Sequence, residues 1–141
     1  MNIIKIILLF FLGVAFIYMP LAYLWINRKN RKAKAWAKKH QAVKVYIKRD
    51  RIDDVLTVRV NGEKPVYFTE SFWGGKIGFY LPVGENTVDV NCSWSRVNPI
   101  HPLRFSNHHA GDEELHLTVE AGKQYEIYYN HSAKKYVFEE K

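Results

Sequence analysis

Two hydrophobic patterns follow one another along the chain, and the first is an unbroken apolar run. From Ile6 to Ile26 no side chain carries a charge. As an α-helix this run is about 31 Å long, close to the roughly 30 Å thickness of a bilayer's hydrocarbon core. The pattern predicts a transmembrane anchor helix over residues 1–26, with Pro20 as the site of a kink. A cleaved signal peptide is the alternative, but the run exceeds the length of its apolar region and no A-x-A-like cleavage site follows.

Residues 27–41 are polar and basic, and they predict a juxtamembrane helix or linker with seven cations and no carboxylate. Cations beside a membrane span favour the cytoplasmic side, and each adds about 1 kcal/mol of attraction to an anionic leaflet. We therefore expect a single-pass protein of the cell membrane whose β domain faces the cytoplasm, with a periplasmic or extracellular domain as the alternative. The expected membrane-interface residues are Trp25, Arg28, Lys29, Arg31, Lys32, Lys34 and Trp36. For Trp36, packing against the β domain is the alternative.

From Ala42 onward apolar and polar residues alternate, which is the pattern of β-strands with one buried face. Turn sequences such as Asn61-Gly62 and Gly74-Gly75 separate the alternating runs. The predicted strands cover residues 43–47, 56–60, 66–68, 77–81, 88–94, 115–119 and 125–129, with 136–138 as a candidate edge strand. Close connections and the lack of a second helical pattern predict a mainly β fold. We expect a single antiparallel β-sandwich domain over residues 42–141, preceded by one N-terminal transmembrane helix.

The charge of the chain belongs to its basic segment rather than to the β domain. The net charge is +7, but from His40 onward there are 13 Lys and Arg against 14 Asp and Glu. Nucleic-acid binding requires a basic face on the folded domain itself. We therefore expect the lipid bilayer as a partner and no nucleic acid.

Cysteine and motif content exclude several function classes. Cys92 is the only cysteine, so an intramolecular disulfide and a zinc site of paired cysteines are excluded. A nucleophile elbow, an H-E-x-x-H motif, a phosphate loop and a dinucleotide fingerprint are all missing. Cys92 falls on the same strand face as Val88 and Val90, so we expect a buried, inert thiol. Carboxylate pairs such as Asp53-Asp54 are expected at turns or pointing apart. The sequence predicts no enzyme and no cofactor.

Residues 96–114 interrupt the alternation and are predicted to form a long loop, a kind of segment that is often functional. Its imidazole and carboxylate groups are of the types that bind zinc, nickel or copper. The candidate ligands are His101, His108, His109 and Asp112. Because their spacing matches no metal-site signature, we expect no metal, and a ligand- or metal-sensing domain that uses this loop is the alternative function.

Aromatic residues at two turns are candidates for binding a partner. Phe72 and Trp73 stand before the Gly74-Gly75 turn, and Phe105 lies within residues 96–114. Large aromatic side chains are favoured at the energetic centres of interfaces. The alternative is that these rings fold back over the core of the sandwich.

The order of four segments between Val45 and Tyr129 carries a family resemblance. The segments are VYIKR, VRVNGEKPVYF, GFYLPVGENTVDV and LHLTVEAGKQYEIYY. In this order they resemble the bacterial domain of unknown function 2846 family and, more distantly, PEGA-type and transthyretin-like sandwich modules. The resemblance implies a bacterial, envelope-associated, non-catalytic module, and it assigns no functional residues. We therefore expect a membrane-tethered module that binds a protein partner or a second copy of itself.

Overall fold

A computed structural model describes residues 2–70, 75–97, 99–101 and 104–141, without the side chains of Val97 and Phe105. These residues form one helix followed by eight strands, which confirms the prediction of a mainly β domain behind a single N-terminal helix. The elements are α1 (Ile3–Lys39), β1 (Ala42–Ile47), β2 (Val55–Val60), β3 (Tyr67–Thr69), β4 (Ile77–Pro82), β5 (Gly84–Val97), β6 (Phe105–Val119), β7 (Tyr125–Asn130) and β8 (Lys135–Glu140).

The strands form two sheets, one of five strands in the order β3-β4-β1-β7-β8 and one of three in the order β2-β5-β6. The described strand pairs are antiparallel except for one, because β7 runs parallel to β1 with Val45 opposite Tyr125. The chain leaves the first sheet for β5 and β6, and it returns in β7 beside β1 rather than beside β4. The antiparallel prediction therefore holds for every described pair but this one.

The core lies between the two sheets, and the predicted alternation places its residues there. It consists of Val43, Val45, Val58, Val60, Phe79, Leu81, Val88, Val90, Val119, Tyr125 and Ile127. Tyr136 and Phe138 pack against this core from β8, which lies at an edge of the five-stranded sheet. The candidate edge strand is therefore confirmed.

The prediction of a loop over residues 96–114 is wrong. β5 and β6 pair along their lengths, from Gly84 opposite Val119 to Val97 opposite Phe105, and form one long hairpin. Residues 106–109 and 111–114 are exposed, so both faces of this part of β6 are in contact with solvent. Alternation of apolar and polar residues reveals a strand only where one face is buried. The sequence pattern therefore could not distinguish this strand from a loop.

Gly78 in β4 sits where three strands are in close contact. It pairs with Tyr46 of β1 on one side and with Phe68 of β3 on the other. A Cβ at this position would overlap the carbonyl oxygen of Val45 and would lie 2.7 Å from Cζ of Phe68. The position therefore accepts only glycine without a backbone shift.

We predict that Gly78→Ala lowers the free energy of unfolding by about 1–3 kcal/mol, because overpacking forces the sheet to adjust. Urea unfolding of the full chain in mild detergent measures this difference. The matched control is Gly13→Ala, since a Cβ at Gly13 meets no atom within 4 Å. Equal effects of the two substitutions would contradict the packing described for Gly78.

Candidate functional site

Helix α1 connects the apolar segment to the β domain without a break. It is the one helix among the described residues, and it is long and apolar enough to cross a membrane. Pro20 lies inside it and does not end it. The helix ends at Lys39, and Gln41 adopts a positive φ of 51° that turns the chain into β1. The basic residues 27–39 are therefore a direct helical extension of the apolar segment.

The last turns of α1 pack on the outer face of the five-stranded sheet. Ala33 and Ala37, four residues apart, are the buried residues of the helix and lie on one side of it. They contact three aromatic residues of the sheet, while Trp36 packs beside them. We call this contact the helix–sheet joint, and it comprises Asn30, Ala33, Trp36, Ala37, Tyr46, Phe68 and Tyr80. Small side chains on the helix let its backbone approach the aromatic rings closely.

Asn30 bonds the helix to the edge of the sheet. Its Nδ2 donates a hydrogen bond to the carbonyl oxygen of Thr69 at 2.7 Å, and its Oδ1 accepts one from the Thr69 amide at 3.2 Å. Thr69 ends β3, an edge strand, so the side-chain amide of Asn30 takes the place of a neighbouring strand. This pair of bonds fixes where along α1 the domain sits.

A groove of about 610 Å³ lies between α1 and the segment that leads into β3. Of the predicted interface residues, Trp25, Lys29, Lys32 and Trp36 line this groove. Lys64 contributes a further cation from the β domain, and Lys29 Nζ lies 4.4 Å from the centre of the Trp25 ring. The groove combines cations with aromatic rings.

The other predicted interface residues do not line the groove. Arg28, Arg31 and Lys34 are exposed elsewhere on the helix surface. Trp36 is half-buried in the helix–sheet joint, and its ring stacks on His40 at 4.3 Å between ring centres. Packing against the β domain, the alternative given for Trp36, therefore describes its position.

We predict that Ala33→Leu lowers the free energy of unfolding by about 1–3 kcal/mol, because it forces extra volume into the helix–sheet joint. Ala35→Leu is the matched control, since Ala35 lies on the exposed side of the same helix. Urea titration of both variants in detergent gives the comparison. If the control loses as much stability as Ala33→Leu, the helix does not pack on the sheet as described.

A second site lies between the two sheets, where β1 ends and β2 begins. A cavity of about 290 Å³ opens here, and its walls include the cations Lys48 and Arg49 and the ring of Tyr129. Asp54 and Cys92 also line the cavity, and both are buried. The cavity therefore brings a buried carboxyl group and the only thiol of the chain to one place.

His131 completes a cluster with these two residues. The side chains of Asp54 and His131 are 5% and 7% exposed, and His131 Nε2 lies 2.8 and 2.9 Å from the two carboxylate oxygens of Asp54. One donor atom each from Asp54, Cys92 and His131 lie within 4.8 Å of one another. Among the residues that the structure describes, this is the one group of side chains arranged so that it could hold a metal ion.

Three different elements hold this Asp–Cys–His cluster. Asp54 ends the turn before β2, where the Arg51 amide donates to its Oδ2 at 3.1 Å. Cys92 lies on β5 opposite Leu56 of β2, and its backbone amide donates to the Tyr136 hydroxyl at 2.8 Å. His131 directly follows β7, and its backbone amide donates to Asp50 Oδ2 at 3.0 Å. Each member is therefore positioned by backbone hydrogen bonds.

Aromatic rings orient the imidazole of His131. The ring of Trp94 meets it edge to face at 4.6 Å, and the ring of Tyr129 does so at 5.0 Å. Trp94 also stacks on Tyr129 at 5.8 Å. The imidazole is therefore fixed from two sides while its Nε2 faces Asp54.

Burial, followed by the nearby charges of Asp54 and Asp53, raises the pKa of the Cys92 thiol to about 11. The thiol is therefore protonated at neutral pH. Reactive cysteines show the opposite behaviour, because cations or helix N-termini lower their pKa. The expectation of a buried thiol is confirmed, since Cys92 is 1% exposed.

The metal-ligand candidates from the sequence are not brought together. His108 and His109 are successive residues of β6 and point to opposite faces of the strand. Asp112 accepts a hydrogen bond from Asn91 Nδ2 at 2.6 Å, and the His108 ring stacks on Trp94 at 5.9 Å. Neither these residues nor His101 belong to the group of possible metal ligands in the described part of the chain.

The partner-binding candidates from the sequence are Phe72, Trp73 and Phe105. Phe72 and Trp73 lie outside the described residues, as does the side chain of Phe105, whose backbone begins β6.

The sequence does not reveal the Asp–Cys–His cluster, because none of its three residues belongs to a recognisable local motif. The sequence predicts that Asp53 and Asp54 lie at a turn or point apart, and Asp54 does follow a turn, but its side chain is buried. His131 is 77 residues away from Asp54 in the sequence. The buried position predicted for Cys92 was the only sequence signal, and it did not identify neighbours. Sheet topology was needed to bring the three residues together.

Comparison of the chain with protein-family models, with curated proteins and with solved structures gave no match. The resemblance to the domain of unknown function 2846 family therefore stays an expectation from the sequence.

Proposed function

We propose that this chain is a membrane-tethered, non-catalytic β-sandwich module that acts as a protein-interaction or structural component of a bacterial membrane or envelope assembly. The observation that carries this proposal is the helix–sheet joint. Helix α1 carries the apolar segment in its N-terminal part. Its C-terminal part packs on the β domain through Ala33 and Ala37 and through the hydrogen bonds of Asn30 to Thr69. A joint of this kind presents the domain to a partner at a set height and orientation, which a flexible linker does not do.

The basic groove supports the lipid bilayer as one partner of the module. Lys29, Lys32 and Lys64 surround it beside Trp25, a residue type that favours the headgroup region of a bilayer. Cations in this position attract anionic headgroups. Their location on the C-terminal side of the apolar segment supports a cytoplasmic β domain, and a periplasmic or extracellular domain is the alternative.

The chemistry of the only thiol supports a non-catalytic role. A pKa of about 11 keeps Cys92 protonated, so it lacks the thiolate that nucleophilic catalysis needs. The neighbouring imidazole does not activate it, because its Nε2 is turned to the carboxylate of Asp54.

The β5–β6 hairpin supplies the best-defined surface for a protein partner. β2 pairs with β5 only as far as Ser93, whereas β6 continues alongside β5 to Val97. The outer half of the hairpin therefore extends past β2, and β6 forms an edge of its sheet. Exposed strand edges accept a further strand from another chain, so the partner is a second protein or a second copy of this chain.

We predict that a fluorescent protein fused after Lys141 is fluorescent in a bacterial host, and that alkaline phosphatase fused there is inactive. The positive flank should retain the β domain in the cytoplasm. Replacing Arg28, Lys29, Arg31 and Lys32 by Gln should reduce this bias, while Gln at Lys134 and Lys135 should leave it unchanged. Phosphatase activity without fluorescence would place the domain outside and direct the partner search to envelope components.

We predict that a photo-crosslinking residue at Asn107, on the exposed part of β6, captures one defined protein or a second copy of this chain in intact cells. The same probe at Phe72 tests the aromatic residues that the sequence predicts to bind a partner. Ala121, exposed in the turn between β6 and β7, is the control position. If the probes at Asn107 and Phe72 give no crosslinked species, or give the same species as the probe at Ala121, the proposed interaction role is wrong.

A further inference from the structure

The three side chains that meet beside the cavity offer sulfur, nitrogen and oxygen, one from each of Cys92, His131 and Asp54. Thiolate, imidazole and carboxylate together suit zinc and its first-row neighbours, whereas calcium and magnesium prefer oxygen alone. Catalytic and ligand-accepting zinc sites use three protein ligands and keep a fourth position open. The donor set therefore has the composition and the number expected of such a site.

The distances between the donors are compatible with one ion. In a tetrahedral zinc site with bonds of 2.0–2.3 Å, neighbouring donor atoms are roughly 3.5 Å apart. His131 Nε2 and the Asp54 oxygens are now 2.8 and 2.9 Å apart, which is the length of a hydrogen bond. All three donors already lie within 4.8 Å of one another, so side-chain shifts of about 1 Å bring them to the spacing of zinc ligands.

The hydrogen bonds around the cluster leave suitable lone pairs for a metal. Asp54 Oδ2 accepts from the Arg51 amide at 3.1 Å, while Oδ1 has no backbone donor among the described contacts. Trp94 and Tyr129 orient the imidazole, and the bond of the His131 amide to Asp50 fixes the backbone that carries it. Outer contacts of this kind hold metal ligands in place.

The cavity gives the fourth coordination position a route to solvent. Asp54 and Cys92 are part of its wall, and Lys48 and Arg49 line it further out. A water molecule would complete the coordination of an ion bound here, and the two cations would favour an anionic group as its replacement.

We propose that Asp54, Cys92 and His131 bind one Zn²⁺ ion through Oδ1, Sγ and Nε2, in a tetrahedral site whose fourth position faces the cavity. Binding releases the thiol proton of Cys92, since the zinc ligand is the thiolate, and His131 Nε2 exchanges its hydrogen bond with Asp54 for a bond to the metal. The site is independent of the proposed membrane role, because none of its ligands lies in α1 or in the helix–sheet joint.

The test is a titration of the full chain with Co²⁺, after purification in detergent without a histidine tag and treatment with a chelator. Because Cys92 is the only cysteine, a thiolate-to-cobalt charge-transfer band in the near ultraviolet reports on this residue alone. We expect one equivalent of Co²⁺ to produce this band together with the strong visible bands of tetrahedral cobalt. Zn²⁺ should then abolish both. Binding of Co²⁺ without the charge-transfer band, or no saturable binding, would overturn the proposal and leave a buried Asp–His hydrogen bond.

Variants separate this site from the histidines of the hairpin. Cys92→Ser and His131→Gln should each weaken Zn²⁺ binding by at least about tenfold in a calorimetric titration. His108→Ala combined with His109→Ala should bind Zn²⁺ as the unmodified chain does, because neither residue belongs to the cluster. Loss of binding in this double variant would assign the metal to the hairpin and contradict the proposal. The cobalt spectrum of the unmodified chain decides the question even if a buried variant does not fold.

Discussion

The packing of α1 on the five-stranded sheet is the contact on which the rest of the structure depends. It requires a sheet that is apolar on both faces, because one face covers the core and the other receives the helix. β1 meets this requirement with Val45 buried on the inner face and Tyr46 buried on the outer face. Gly78 belongs to the same constraint, since it makes room for the ring of Phe68 between the helix and the sheet. The β domain is therefore shaped to receive this helix.

The sequence predicted those parts of the fold in which one side of an element differs from the other. The apolar run of α1 and the strands with one buried face were recognisable, and so were their turns. Strands with two similar faces were not: residues 106–109 and 111–114 of β6 are exposed, and the missing alternation there predicted a loop. Tyr46 presents the converse case, because its outward position in an alternating strand gave no sign that a helix covers it. Periodicity reports a difference between two faces and not what covers each face.

The Asp–Cys–His cluster illustrates why sites are harder to predict than folds. Its members come from a turn, a central strand and a strand end, and only the register that sets Leu56 opposite Cys92 brings Asp54 to the thiol. The parallel pairing of β7 with β1 then places His131 at the same end of the sandwich. The alternating pattern correctly predicted that Cys92 is buried, but it contained no signal that β7 pairs with β1. The hairpin histidines were the metal-ligand candidates because they are close in sequence, although no metal was expected there.

Tyr67 lies between the groove beside α1 and the cavity beside Asp54. Its side chain borders the groove beside α1, where Lys29 and Lys32 lie, and it also borders the cavity beside Asp54. The cavity is thus one side chain away from the surface that faces the end of the apolar segment. Because the helix–sheet joint fixes the sheet on the helix, the distance from the cavity to that segment is also fixed. An ion or partner bound at the cavity would therefore lie at one distance from the apolar segment, because the helix packs on the domain that it carries.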